Sequence, residues 1–268
     1  MTTREASRRL GHTIHRLGAV MSTQGEAATL GAAGASEGTV VTATHQLRGR
    51  GRRGRQWFDA PGKSLLMSIL LRPPMSPGEA PQLSLVAGVA VVDALAAVGV
   101  SASVRWPNDV MVAERKICGI LAEATTTSRG TLERVILGIG LNVNQGDFPA
   151  PIRTLATSVR IETGRGHAVE QMLAAVLAAL DGWYARFLEE RLGGEGRLGG
   201  EVGLGGLRQA WIERAQNIGR RVRAADGREG VAVDLAADGA LLLHTDGGET
   251  VRVVAGDVTM EAGHAAGH

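Results

Sequence analysis

The sequence predicts an α+β fold: a mixed β-sheet with flanking helices, followed by a small β-barrel. Three observations carry this expectation. Strand-like runs crowd between Thr39 and Asn144 with few helices between them, unlike the strict alternation of a doubly wound sheet. The apolar run Leu83–Val98 is shorter than a bilayer span and lies between turn signals, so it reads as a buried helix. Short strand-like pieces within Ile218–Met260 are separated by turns at Asp226-Gly227, Asp238-Gly239 and Asp246-Gly247-Gly248, the spacing of hairpins.

Taken in order, residues 1–20 read as a short helix, because Leu10, Ile14, Leu17 and Val20 recur at helical spacing. Met21–Gln24 is a polar break, and Ala27–Ala33 is helical again. Thr39–Gln46 and Ser64–Arg72 alternate as strands, the second stopped by Pro73-Pro74, which cannot continue a ladder. Pro81 is placed to start a helix over Gln82–Val98, and Gly99 ends it. Ser101–Trp106 is a strand stopped by Pro107, and a brief strand follows within Asn108–Val112. Lys116–Thr125 and Leu132–Asn144 are apolar on both faces, as expected of strands in the middle of a covered sheet. Ala168–Leu192 and Leu207–Gln216 are helical. Between them RLGGEG, RLGGEV and GLGGLR form an imperfect hexapeptide repeat, read as a flexible glycine-rich insert over 193–206. The expected units are 1–215, a barrel over 216–261 and a disordered tail over 262–268.

Composition narrows the function. Of 268 residues, 44% are hydrophobic and 21% charged, as in a soluble globular protein. Cys118 is the single cysteine, so no intramolecular disulfide forms and a reducing, cytoplasmic setting fits. The net charge is 29 − 27 = +2, yet five arginines lie in Arg48–Arg55 alone. Without them the balance is 24 − 27 = −3, which speaks for a local anionic ligand rather than a broad nucleic-acid face.

That segment, RGRGRRGRQW (Arg48–Trp57), alternates residues that let a backbone approach a ligand with rigid forks of N–H donors suited to carboxylates and phosphates. Other candidates are weaker singly. Asn108 and Asp109 after Pro107 could bind a hydroxyl, a metal held by phosphates or an adenine edge, or could be ordinary turn chemistry. Lys116 at the mouth of an apolar strand could meet an anion as a point charge or could simply be solvated. Gly119, Gly138 and Gly140 leave room against the sheet. The histidine pairs His12/His15 and His264/His268 lack ligand partners at metal spacing, so no dedicated protein metal site is expected.

Their order is more specific than any one of them. Ser-Thr, QxxGRGRxGRxW, WPND, KxxGIL and GxGLN, in that sequence, resemble the biotin protein ligase family over roughly Gly18 to Asn144. The resemblance implies a catalytic domain of the class II aminoacyl-tRNA synthetase/biotin ligase kind with a C-terminal SH3-like barrel. It implies that biotin and ATP are substrates, with Mg²⁺ accompanying ATP. Biotinyl-5′-AMP forms, and biotin passes to a lysine of a biotin carboxyl carrier domain. It further implies that Ser22, Thr23, Gln46, Gly49, Arg50, Lys116, Gly119 and Gly138 hold biotin. Arg52, Arg55, Trp57, Asn108, Asp109 and Asn142 fall on the nucleotide side, and Lys116, Arg50 and Arg52 carry the catalysis. About 21 residues precede Ser22, too few for the winged-helix domain of family repressors, so a ligase without DNA binding is expected. No membrane partner is expected, and either a monomer or a homodimer fits.

Three departures stand out. Gln24 replaces the family's asparagine, Arg48 stands where a small residue is usual, and Arg105 replaces a lysine. Two other functions remain in view. A lipoate or octanoate ligase or transferase would share the fold, with Cys118 as an acyl carrier in some cases. A non-enzymatic RNA binder would use the Arg/Gly run directly.

Overall fold

The computed structural model describes residues 9–193, 197–198, 201–202, 204–254 and 256–260. Residues 1–8 of the expected helix at 1–20 and the whole tail 262–268 lie outside them. Six positions of the insert 193–206 also lie outside them; within it a two-residue pairing of β10 (Arg197–Leu198) with β11 (Glu201–Val202) is described.

The first departure is at the start. Ile14–Val20 is a strand, β1, paired in parallel with β2 (Val40–Gln46) from Ile14↔Val40 to Val20↔Gln46. Apolar residues three or four apart in so short a segment fit either period. The hydrogen-bonding edge of β2 decides the outcome, a tertiary override of local pattern. Helix α1 (Thr23–Ala32) then begins earlier than its apolar pattern suggests. The polar break is its cap, with Ser22 Oγ accepting from Gln24 N at 3.2 Å.

Chain order continues through the tight hairpin β3 (Gly49–Arg50) and β4 (Gln56–Trp57), β5 (Ser64–Leu71), α2 (Gln82–Ala96), β6 (Ser103–Arg105), β7 (Asp109–Val112), β8 (Arg115–Thr126) and β9 (Leu132–Asn142). Seven strands form one mixed sheet in the order β1-β2-β5-β9-β8-β7-β6, in which only the β1–β2 pair is parallel. β5 is buried along its whole length because both its faces are covered. α1 closes one face over Ala27, Val41, Leu70 and Ile136. The other face carries the main core beneath α2, α4 (Val169–Gly193) and α5 (Gly205–Glu213), after the short α3 (Val159–Thr163). The segment Pro77–Ala96 is long and apolar enough to cross a membrane, but it is the mostly buried centre of this core.

The C-terminal unit is a second sheet: β12 (Arg221–Ala224), β13 (Glu229–Leu235), β14 (Leu241–His244), β15 (Thr250–Val253) and β16 (Val258–Met260). All pairs are antiparallel, in the order β15-β14-β13-β12-β16. Among the described residues no pairing joins the edge strands β15 and β16. The Asp238-Gly239 turn fixes this sheet to the first. Trp106 Nε1 donates to Gly239 O at 3.0 Å. Gly239 has φ +87°, and a Cβ there would lie 2.9 Å from Leu85 Cδ1, so both conformation and space call for glycine.

Candidate active site

The site lies on the α1 side of the sheet, under the β3–β4 hairpin. It is a cleft of about 790 Å³ including its mouth. Its floor is made by cross-strand glycines. Gly119 and Gly140 are register partners in β8 and β9, and together they leave a bare patch on the pleat. Trp57 fills it: a Cβ at Gly140 would lie 2.7 Å from the indole Cε2, and one at Gly119 2.9 Å from Cζ3. Gly138 does the same for Gln24, whose Cδ would be 2.9 Å from a Cβ there. The space expected above Gly138 is therefore occupied by a side chain of the protein itself.

At one end of the cleft, hydroxyls and amides converge. Gln46 Oε1 accepts from Thr23 N at 2.8 Å and from Thr23 Oγ1 at 3.1 Å, while Thr23 Oγ1 lies 2.9 Å from Ser68 Oγ. A backbone N–H can only donate, so the Gln46 amide is oriented with Nε2 as its remaining donor. Gln24 Nε2 donates to Glu123 Oε2 at 3.0 Å and to Leu121 O at 3.3 Å, leaving its buried Oε1 unpartnered.

The other end is charged. Lys116 Nζ is 2.5 Å from Asp109 Oδ1 and 5.8 Å from the centroid of Trp57. The β7–β8 register passes from Val110↔Cys118 to Met111↔Lys116, skipping Ile117. That bulge brings Lys116 onto the same face as Gly119, which simple alternation would place opposite. Asn108 Nδ2 donates to Ile120 O and its Oδ1 accepts from Arg52 Nη1 at 3.1 Å.

The hairpin forms the lid. Gly49 is its tightest point, since a Cβ there would be 2.7 Å from Trp57 O. Arg50 Nη2 lies 2.7 Å from Glu123 Oε1, and Arg55 Nη2 lies 2.5 Å from Asp257 Oδ2. Arg52 is the most enclosed of the lid arginines, and burial pulls its guanidinium below its ordinary pKa.

Of the residues expected from sequence, Thr23, Gln46, Arg50, Arg52, Arg55, Trp57, Asn108, Asp109, Lys116, Gly119 and Gly138 all line the cleft. Ser22, Gly49 and Asn142 do not line it. Ser22 caps α1, Gly49 permits the hairpin, and buried Asn142 donates to Thr157 O at 2.9 Å and accepts from Gln145 at 3.1 Å. Arg48 is exposed, and Arg105, whose Nη2 packs 2.8 Å from Met111 Sδ, does not line the cleft. Ser68, Gly140, Gln24 and Asp257 also line it. Cys118 is fully buried with its thiol pKa pushed up by desolvation, the setting of an inert core thiol rather than an acyl carrier. Among the described residues no three His, Cys, Asp or Glu side chains gather as metal ligands.

A glycine-floored sheet with a lysine on one wall and an arginine lid above defines a site suited to an anionic ligand. The pattern of the biotin/lipoate A/B protein ligase family matches residues 17–142, and that of the biotin protein ligase C-terminal domain matches residues 218–260. The chain is 33% identical over 235 residues to the bifunctional ligase/repressor BirA of Bacillus spizizenii, covering 85% of this chain and 68% of that protein. It is 34% identical over 239 residues to the biotin–[acetyl-CoA-carboxylase] ligase of Paracoccus denitrificans, covering 86% and 93%. The Aquifex aeolicus biotin protein ligase, solved with biotin and ATP, superimposes with a TM-score of 0.77 at 27% identity over 94% of this chain and 100% of that one. The chain belongs to the biotin protein ligase family.

Proposed function

We propose that this protein activates biotin with ATP to biotinyl-5′-AMP and transfers biotin to a lysine of a biotin carboxyl carrier domain, in the cytoplasm. One observation carries the reading: a cleft with amides and hydroxyls at one end has Lys116 and the lid arginines at the other. The ureido ring of biotin has both a carbonyl and N–H groups to meet the fixed amides. Its carboxylate then extends towards Lys116. A lipoyl ring would leave those buried polar groups unpaired, which favours biotin over lipoate. The RNA-binding reading loses ground because Arg50, Arg52 and Arg55 fold over the cleft onto carboxylates.

In the first step a biotin carboxylate oxygen attacks the α-phosphorus and the bond to pyrophosphate breaks. Lys116 neutralises the attacking carboxylate and the α-phosphate together, oriented by Asp109. Arg52 and Arg50 carry charge that accumulates as the two anions meet. Trp57 offers a face to the nucleotide, with Asn108 and Arg55 beside it. Mg²⁺ enters on the nucleotide's phosphates. In the second step the carrier lysine's amine attacks the anhydride carbonyl and AMP leaves, while the lid keeps water out. Mass spectrometry of a carrier domain incubated with this protein, biotin, ATP and Mg²⁺ tests the reading. A mass gain of one biotin is expected; no gain, or an equal gain with lipoate, would refute it.

A further inference from the structure

The lid arginines serve as anion ligands in the reading above, yet two of them already hold a carboxylate from the C-terminal sheet. Asp257 lies 202 residues along the chain from Arg55 and lines the same cleft. Its Oδ2 is 2.5 Å from Arg55 Nη2 and its Oδ1 is 3.7 Å from Arg52 Nη1. The neighbouring carbonyl, Gly256 O, accepts from Arg52 Nη1 at 3.3 Å. Gly256 has φ +118°, and a Cβ there would lie 3.2 Å from Arg53 Nη2, so a side chain at this position would be strained and would crowd the lid. Asp257 lies just before β16, where its own carbonyl accepts from Ala225 N at 3.1 Å and Val258 pairs with Ala224 of β12, so its backbone is held by the C-terminal sheet rather than by the hairpin.

A fixed carboxylate in a cleft that receives a triphosphate repels that ligand. It also cancels cations the ligand needs. What it gives in return is order: without an anion, Arg52, Arg53 and Arg55 would repel one another within a four-residue turn. We propose that Asp257 is a positioning residue that holds the lid hairpin down before nucleotide binds and yields Arg52 and Arg55 to the nucleotide's phosphates when it does. The exchange swaps one set of charge-assisted hydrogen bonds for another. The identity of the incoming anion rests on the nucleotide reading above; the latch on the lid does not.

Two effects of opposite sign follow for Asp257→Asn in the full-length protein, which a merely structural role would not produce. Without ligand, trypsin should cut after Arg52, Arg53 or Arg55 about tenfold faster than in the wild type, with cleavage sites read by mass spectrometry. At the same time, inorganic pyrophosphate should bind several-fold more tightly, because about one competing charge has gone. Asp257→Glu should restore slow cleavage. An unchanged cleavage rate in the asparagine variant would overturn the latch, and so would weaker pyrophosphate binding. If wild-type protein fails to bind ATP, the nucleotide reading falls, while the ligand-free cleavage rates still decide the latch.

Discussion

The floor and the lid of the cleft bind by different physics. The floor is steric. Gly119, Gly138 and Gly140 are bare because Trp57 and Gln24 lie where their side chains would be, and the contact distances leave no slack. The lid is electrostatic. Arg50 and Arg55 are half or more exposed and Arg52 less so, and each of these three is held by a carboxylate from outside the hairpin. A floor of this kind has one arrangement. A lid of this kind has as many as there are anions to hold it, and closure over a reactive intermediate needs that second property.

The contrast can be broken from either side. Lys116, at the junction of the two, should show the largest effect: Lys116→Ala should slow formation of biotinyl-5′-AMP by about a thousandfold, measured in a single turnover, with the fold intact. Gly140→Ala comes next. Its methyl would meet Trp57 at 2.7 Å, so the indole must move, at a cost of about 1–3 kcal/mol, and KM for both substrates should rise together. Arg52→Gly should act on the lid and also remove one cation from the adenylation step. Adenylation should continue at a reduced rate while the anhydride escapes, so bystander lysines become labelled several-fold more; labelling confined to the carrier lysine would contradict this shielding role. The smallest effect belongs to Cys118. Its buried thiol stays protonated at neutral pH, so iodoacetamide should leave the native protein unmodified, and Cys118→Ala should keep full activity with stability lower by about 1 kcal/mol.

The order of motifs made much of this site legible in the sequence. WPND and KxxGIL lie close along the chain and fall on the neighbouring strands β7 and β8, and the QxxGRGRxGRxW hairpin reaches them across the sheet through Trp57, which lies over Gly140 and Gly119. Residues whose role depends on distant contacts were not legible. Glu123 sits in the apolar strand β8 with no motif around it, and its place in the site shows only where Gln24 and Arg50 meet on its two oxygens. Asp257 gives no local signal, because its partners arrive from the β3–β4 hairpin about 200 residues earlier. Asn142 shows the converse: it belongs to a motif, yet its amide is committed to Thr157 O and Gln145 within the fold. At Ile14–Val20 the local period pointed to a helix, and only the parallel partner β2 makes it a strand.

The central claim is that floor and lid together activate the carboxylate of biotin. Exchange of labelled pyrophosphate into ATP, measured without any carrier protein, tests it most directly. Exchange should require biotin, fail with lipoate and vanish in Lys116→Ala. Exchange that proceeds without biotin, or equally well with lipoate, would contradict it.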